Sequence, residues 1–312
     1  MSRLRHDPLT GEPLLFAPER GLRPNAFDQR PMPAGAVCPF CPGNERETPP
    51  EVSRIGSAER WEVRVVPNRY PIVGTGGLAG AHEVVVETPE HEARFATLSS
   101  AQRVRVLRAW RERFAAHRRN RAIRHLVIFR NDGPRAGQSI LHPHGQIIAL
   151  PFLPERIRRE AGHLRTRQKK GQPCPLCAET EVPARQVAAN ERFVAVVPEP
   201  SRAPYQVRVV PRRHQADFGL CDDGDLAALD RMLATLLPSM LERLDHPSYN
   251  LLVQSAPFRV ANPEMFHWYV DLIPRLTVEG GFELATGIPI DILPSERAAT
   301  ELRDAGAERI ER

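Results

Sequence analysis

Residues 142–146 read His142-Pro143-His144-Gly145-Gln146 and could do chemistry on a phosphorus atom. An imidazole is a nucleophile near neutral pH. A Gln amide, a Ser hydroxyl and glycine N–H groups are neutral donors that hold phosphoryl oxygens without quenching it. Those donors are at hand, because the run follows Phe129-Arg130-Asn131-Asp132-Gly133 and Gly137-Gln138-Ser139. Two residues two apart on a strand share a face, but Pro143 and Gly145 argue against a regular strand here. The two imidazoles could then point differently, one serving a structural site and the other facing a substrate. The bland alternatives are a buried, hydrogen-bonded histidine, and local backbone capping by Ser139 and Gln146.

The elements that must position these groups come as a repeat. Cys38-Pro39-Phe40-Cys41, then the segment ending Pro89-Glu90-His91, then His142 form one series. Cys174-Pro175-Leu176-Cys177, then Pro211-Arg212-Arg213-His214, then His267 form a second. The flanks agree: 60–67 (RWEVRVVP) resembles 192–198 (RFVAVVP). A repeat this long is a duplicated domain and not a solenoid unit. We therefore expect halves at 1–165 and 166–312. One Cys-x-x-Cys is also compatible with a redox pair or two packed cysteines. Two copies, each with two histidines following in the same order, match a closed structural zinc set of two thiolates and two imidazoles. Cys221 has no counterpart and is read as a small buried apolar residue. The absence of a signal peptide and the use of cysteine for metal point to a reducing cytoplasm.

Composition sets further bounds. The chain has 312 residues, enough for one large domain or two halves with their own cores. No apolar run approaches a membrane span. The net charge of +5 makes anionic ligands plausible, but Lys occurs only at Lys169 and Lys170, so the bias is an arginine bias. His117-Arg118-Arg119 falls at the end of an expected helix, where cations suit the dipole. Charge alone thus gives little support to nucleic-acid binding. His82 and His117 belong to no motif and are read as surface residues.

Residues 1–40, rich in Pro, Gly and Arg, are expected to wrap the core as loops. Strands are predicted at 61–67, 81–88, 125–131 and 144–152. Ser99-x-x-Gln102 reads as a capping box ahead of a helical stripe of Val104, Leu107, Trp110 and Phe114. Residues 155–173 read as a helix running into a linker. The second half repeats the scheme with strands near 192–198, 205–211, 250–255 and 267–274. Its helix starts near Asp225 and carries Leu226, Leu229, Leu233 and Leu236, with Pro238 expected to kink or end it. A capped helix is predicted over 294–312. The class is α+β: tandem duplicated halves, each a mainly antiparallel sheet with helices on one side.

Taken together, these motifs resemble the galactose-1-phosphate uridylyltransferase family of the histidine-triad superfamily. The resemblance runs over nearly the whole chain. It is carried by Asp7-Pro8-Leu9-Thr10-Gly11, 17–24 (APERGLRP), Cys38-x-x-Cys41, Pro67-Asn68-Arg69-Tyr70-Pro71, the segment ending at His91, the 131–146 region and Gly281-Phe282-Glu283. It implies histidine-triad-like halves and a ping-pong exchange. His144 would attack the α-phosphorus of UDP-glucose, and the nucleotidyl-histidine would pass UMP to a hexose 1-phosphate such as galactose 1-phosphate. By the same resemblance Gln146 and Ser139 bind phosphoryl oxygens. Arg20 and Arg23 match phosphate positions, Asn68 matches a nucleotide-side position, and Asn131, Gly137, Phe282 and Glu283 match substrate-side positions. His142 completes a structural Zn2+ site with Cys38, Cys41 and His91. Cys174, Cys177, His214 and His267 form a second. Tyr269 stands where a second nucleophile would be, which implies one active site per chain. A homodimer is implied, with residues 277–287 completing the site of the other subunit.

The sequence also departs from the family pattern. Asn68 is followed by Arg69 and not by an acid, residues 277–283 differ from the hexose-binding stretch, and no Gln follows Ala285-Thr286-Gly287 as the sugar-reading residue. An ADP-sugar phosphorylase or adenylyltransferase using the same histidine therefore stays open. So does a catalytically idle zinc protein that binds nucleotides or RNA.

Overall fold

The computed structural model describes residues 2–9, 11–18, 20, 37–57, 59–74 and 77–310, and side chains as far as residue 306. Arg23 lies outside the described residues. The chain forms two compact units: Met1–Phe129 with Ser139–Thr166 and Ala256–Pro263, and Arg130–Gln138 with Arg167–Ser255 and Glu264–Arg312.

The first unit opens with a hairpin, β1 (Arg3–His6) and β2 (Pro13–Phe16), inside the region expected to be loops. Asp7 closes the turn, its carbonyl accepting from Gly11 N–H at 2.8 Å and its carboxylate from Leu9 N–H at 2.7 Å. Arg5 lies over Phe16 at 3.8 Å. Then follow β3 (Ser53–Gly56), β4 (Trp61–Pro67), β5 (Ala81–Val86), α1 (Ser100–Arg119), β6 (His125–Asp132), β7 (His144–Leu150) and α2 (Glu155–Lys169). The spatial order is β3-β4-β5-β7-β6, and the pairs β3-β4, β4-β5 and β5-β7 are antiparallel.

Ser99 caps α1, its hydroxyl accepting from Gln102 N–H at 3.2 Å. The reciprocal half of the expected box is replaced: the Gln102 amide donates to the carbonyls of Glu62 and Glu87, each at 2.7 Å, and ties the helix to β4 and the end of β5. The buried stripe is Val106, Leu107, Trp110 and Phe114, with Val104 only at its margin. Each such side chain contributes roughly 1.5–3 kcal/mol by burial. His82 and His117, read as surface residues, are both buried. His117 and Arg113 bind the Glu83 carboxylate at 2.9 and 2.6 Å. Burial would raise the Glu83 pKa, but these two partners outweigh it and the net shift is downward.

The second unit contains α3 (Pro175–Thr180), β8 (Gln186–Ala189), β9 (Phe193–Val196), β10 (Val207–Pro211), α4 (Asp223–Arg243), β11 (Tyr249–Gln254), β12 (Tyr269–Pro274), α5 (Gly281–Thr286) and α6 (Ser295–Ile310). The order β11-β12-β10-β9-β8 is again antiparallel, with α4 packed on β8 and β9 and α6 packed on α4 and β8. Asp222 and Asp225 form a complete capping box that starts α4. Pro238 does not end the helix, which continues to Arg243. Leu236, Leu237 and Met240 are buried around it, so packing overrides the hydrogen bond that proline cannot give to Ala234. Among the described residues no helix is long and apolar enough to cross a membrane.

Candidate active site and metal centres

β7 is a regular strand from its first residue, contrary to the expectation drawn from Pro143 and Gly145. Its register sets His144 opposite Val86 and Gln146 opposite Val84. Pro143 stands just before it, where its missing N–H costs nothing, and its carbonyl still accepts from Glu87 N–H at 3.1 Å. Gly145 is demanded by close approach. A Cβ there would lie 3.3 Å from Glu87 Oε1 and 3.3 Å from Trp110 Cζ2.

Both imidazoles border the Phe40 ring, His142 at 6.0 Å and His144 at 5.3 Å between centroids. They differ in what their nitrogens face. His142 Nε2 donates to the Thr88 carbonyl at 2.8 Å, which leaves Nδ1 as a lone pair toward Cys38 Sγ (3.7 Å) and Cys41 Sγ (3.6 Å). His144 Nδ1 donates to the His142 carbonyl at 2.9 Å, which leaves Nε2 as the basic nitrogen. His142 is fully buried and His144 nearly so.

Cys38, Cys41, His91 and His142 bring their ligand atoms within 4.8 Å of one another, and so do Cys174, Cys177, His214 and His267. A tetrahedral zinc ion with usual bond lengths sets its sulfur and nitrogen ligands about 3.6 Å apart. The sulfur–nitrogen separations here are 3.3–3.7 Å in the first set and 3.5–3.8 Å in the second. The donor chemistry also fits. Burial, and then the neighbouring Cys38, push the Cys41 thiol up to about 11, and burial with Cys174 does the same to Cys177. Thiolates so close together need a cation between them. Burial lowers the His142 pKa and brings His267 down to about 4, with His91 and His214 adding to the effect, so both rings offer a neutral lone pair. His214 Nε2 donates to the Glu264 carbonyl at 2.8 Å, an outer contact that orients a ligand ring.

The other candidates are distributed as follows. Gln146 Oε1 lies 2.8 Å from His82 Nε2, and Asn68 Nδ2 lies 3.2 Å from the same nitrogen. Asn68 Oδ1 accepts from Tyr70 N–H at 2.8 Å, and Arg20 donates to the Tyr70 carbonyl at 3.0 Å. Arg20, Asn68 and Gln146 thus form one connected neighbourhood. Ser139 is exposed in the loop between β6 and β7. Asn131 and Gly137 are held together: Asn250 donates to Asn131 Oδ1 at 2.9 Å and to the Ala136 carbonyl at 3.0 Å, and Asn131 donates to the Gly137 carbonyl at 3.4 Å. Phe282 is exposed on α5, and the Glu283 carboxylate accepts from Gly280 N–H at 3.0 Å. Sequence reasoning missed His82 and Phe40. The signal for His82 was its period-2 relation to Val84 and Val86 on the strand beside the histidine pair.

Two antiparallel α+β units, each with its own Cys/His set, accompany a sequence likeness to nucleotidyltransferases. Residues 74–154 match the family model described as galactose-1-phosphate uridyl transferase, N-terminal domain. The chain is 32% identical over 287 residues to the galactose-1-phosphate uridylyltransferase of Streptomyces lividans, covering 89% of this chain and 73% of that one. It is 29% identical over 324 residues to the ADP-glucose phosphorylase of Arabidopsis thaliana, covering 96% and 92%. The crystal structure of an ADP-glucose phosphorylase from Arabidopsis thaliana with bound ADP-glucose superposes with a TM-score of 0.82 at 28% identity, covering 97% of this chain and 98% of that one. The chain belongs to the galactose-1-phosphate uridylyltransferase family.

Proposed function

We propose that the protein exchanges UMP between UDP-glucose and a hexose 1-phosphate, with galactose 1-phosphate as the physiological acceptor, through a uridylyl-His144. The observation that carries this reading is the fixed tautomer of His144, whose Nδ1 hydrogen is held by the His142 carbonyl at 2.9 Å. Nε2 attacks the α-phosphorus in line, the bond to the departing glucose 1-phosphate breaks, and a phosphoramidate remains. The departing phosphate needs no proton, so no general acid is required. The acceptor phosphate then attacks the same phosphorus and returns the electron pair to Nε2. Gln146 and Ser139 donate to phosphoryl oxygens, Arg20 and Arg23 bind phosphate in the forked geometry that suits guanidinium, and Asn68 binds on the nucleotide side. Asn131, Gly137, Phe282 and Glu283 act on the substrate side.

The two Cys/His sets would hold structural Zn2+, the first through Cys38, Cys41, His91 and His142 and the second through Cys174, Cys177, His214 and His267. A bound ion there fixes the position of the chain, and the nucleophile remains the imidazole. A homodimer belongs to the same reading. It is supported by the exposed Val278, Phe282, Leu284, Ile288, Ile290 and Ile292, an apolar run that a second subunit would cover.

A second reading, an ADP-sugar phosphorylase with the same nucleotidyl-histidine, is supported by the likeness to the Arabidopsis enzyme over 96% of this chain and by Arg69 after Asn68. Intact-protein mass after mixing with UDP-glucose or ADP-glucose separates the two. An acid-labile adduct that vanishes in His144→Ala is expected, and its mass names the base. Release of the adduct by inorganic phosphate rather than by a sugar phosphate would favour the phosphorylase. No adduct from either donor, with zinc bound and the fold intact, would overturn nucleotidyl transfer and leave an idle nucleotide-binding protein.

A further inference from the structure

We infer that His82 is a positioning residue that sets which end of the Gln146 amide faces the reacting phosphate. The inference rests on the nucleotidyl-transfer reading for its kinetic consequence and on the hydrogen bonds of the ring for its geometry. His82 is buried on β5, and its face of that strand carries Val84 and Val86, which pair with Gln146 and His144. Ile72 N–H donates to His82 Nδ1 at 3.2 Å, so that nitrogen carries a lone pair and the proton of the neutral ring sits on Nε2. Nε2–H then donates to Gln146 Oε1 at 2.8 Å. The Asn68 amino group 3.2 Å away is a second donor beside this nitrogen. Tyr70 N–H holds the Asn68 oxygen and so keeps that amino group facing Nε2, where it makes no bond to an N–H; the Ile72 backbone N–H, which can only donate, decides the tautomer.

With its oxygen held by His82, the Gln146 amide has only its amino group left to present. An amide is nearly symmetric in shape, so nothing but its partners decides which end points where. An amino group donates to a phosphoryl oxygen, whereas an amide oxygen in its place repels one. His82 thus fixes the donor before substrate arrives, and no reorientation is required as charge builds on phosphorus. The backbone joins this device to the nucleotide side, because Asn68 N–H donates to the His82 carbonyl at 2.7 Å.

The test is single-turnover formation of the nucleotidyl adduct from UDP-glucose and ADP-glucose by the full chain with metal bound. His82→Phe is expected to slow adduct formation at saturating donor about tenfold, less than the 10²–10³ expected for outright loss of an oxyanion donor. The half-saturating donor concentration should move little. His82→Gln places an amide donor near the position of Nε2 and should restore most of the rate. In a Gln146→Ala background, His82→Phe should cost nothing further. A His82→Phe protein that matches wild type, or that loses the same factor with and without Gln146, overturns the inference.

Ring 15N resonances, assigned by their loss in His82→Gln, read the geometry independently of activity. A protonated Nε2 whose shift changes in Gln146→Ala is expected. A protonated Nδ1 overturns the inference even if every variant is active. If wild type forms no adduct at all, the transfer reading fails while the resonances still decide the hydrogen-bond assignment.

Discussion

Gly145→Ala should be far more damaging than the addition of one methyl group suggests. The new methyl would lie 3.3 Å from Glu87 Oε1, 3.3 Å from Trp110 Cζ2 and 3.4 Å from Trp110 Nε1. The two 3.3 Å approaches are tighter than ordinary contact, so something must yield by a few tenths of an ångström. Neither neighbour has room, because Trp110 and Glu87 are both at 0% exposure. The strand must therefore move. Overpacking of this kind costs about 1–3 kcal/mol. A misplacement of about 1 Å costs about 100-fold in rate; a few tenths of that shift in β7 predicts a loss of about three- to tenfold in adduct formation at His144. Gly162→Ala supplies the control. It lies in α2, where a Cβ meets nothing within 4 Å, and Ala should stabilise by about 0.5–1 kcal/mol. Urea unfolding and single-turnover kinetics on the two variants give both numbers. If Gly145→Ala unfolds with the wild-type midpoint and reacts at the wild-type rate, Trp110 and Glu87 do not fix the position of β7.

The remaining predictions concern metal and pH. Cys41→Ser should remove one zinc per chain and slow adduct formation at least about tenfold, because Phe40 and His142 border His144. Cys177→Ser should remove the other zinc and act mainly on stability; metal analysis with single-turnover rates checks both, and equal kinetic losses would refute the distinction. Burial, with the Arg156 charge adding to it, brings the His125 imidazole down to about 4. The folded pKa is depressed below the ordinary 6.5, so the contribution is complete above 6.5 and is lost as pH falls toward about 4. At pH 5 that amounts to about 2 kcal/mol. His125→Leu should flatten this part of the urea-stability profile between pH 7 and 5, and an unchanged slope would exclude His125 as its source.

The two Cys/His sets were legible in the sequence because each ligand type appears twice in the same order. The main strands were legible for the same reason, their β-branched runs recurring at matched distances. What was not legible depends on partners that only the fold brings together. His82 looks like any isolated histidine until β5 pairs with β7 and places it beside Gln146. Ser99-x-x-Gln102 predicted a local reciprocal bond, but two unsatisfied carbonyls of neighbouring strands compete for the same amide and win. Pro238 reads as a kink or a helix end on propensity alone; burial on both sides of it carries the helix on to Arg243. The hairpin of residues 3–16 escaped notice because its strands are only four residues each.

The second unit repeats the Cys/His set of the first but carries Tyr269 where the first carries His144. Its Cys/His set has the same geometry as the first, and Tyr269 follows His267 as His144 follows His142. Around that tyrosine the floor has changed. Asp271 stands where Gln146 stands in the first unit, and opposite it the register places Arg208 instead of Val84. Arg208 bonds Asp271 at 3.0 Å and Glu179 at 3.2 Å, and lies over the Tyr269 ring at 4.5 Å. The guanidinium is committed to two carboxylates, and its pKa is held above the ordinary value despite burial. An incoming anion would have to displace a buried ion pair, at a cost of about 3–5 kcal/mol, and would meet the freed carboxylates as like charges. Restoring a histidine at 269 would not by itself restore a site. The Cys/His set of this unit nonetheless brings its ligand atoms within the same 4.8 Å as the set of the first unit.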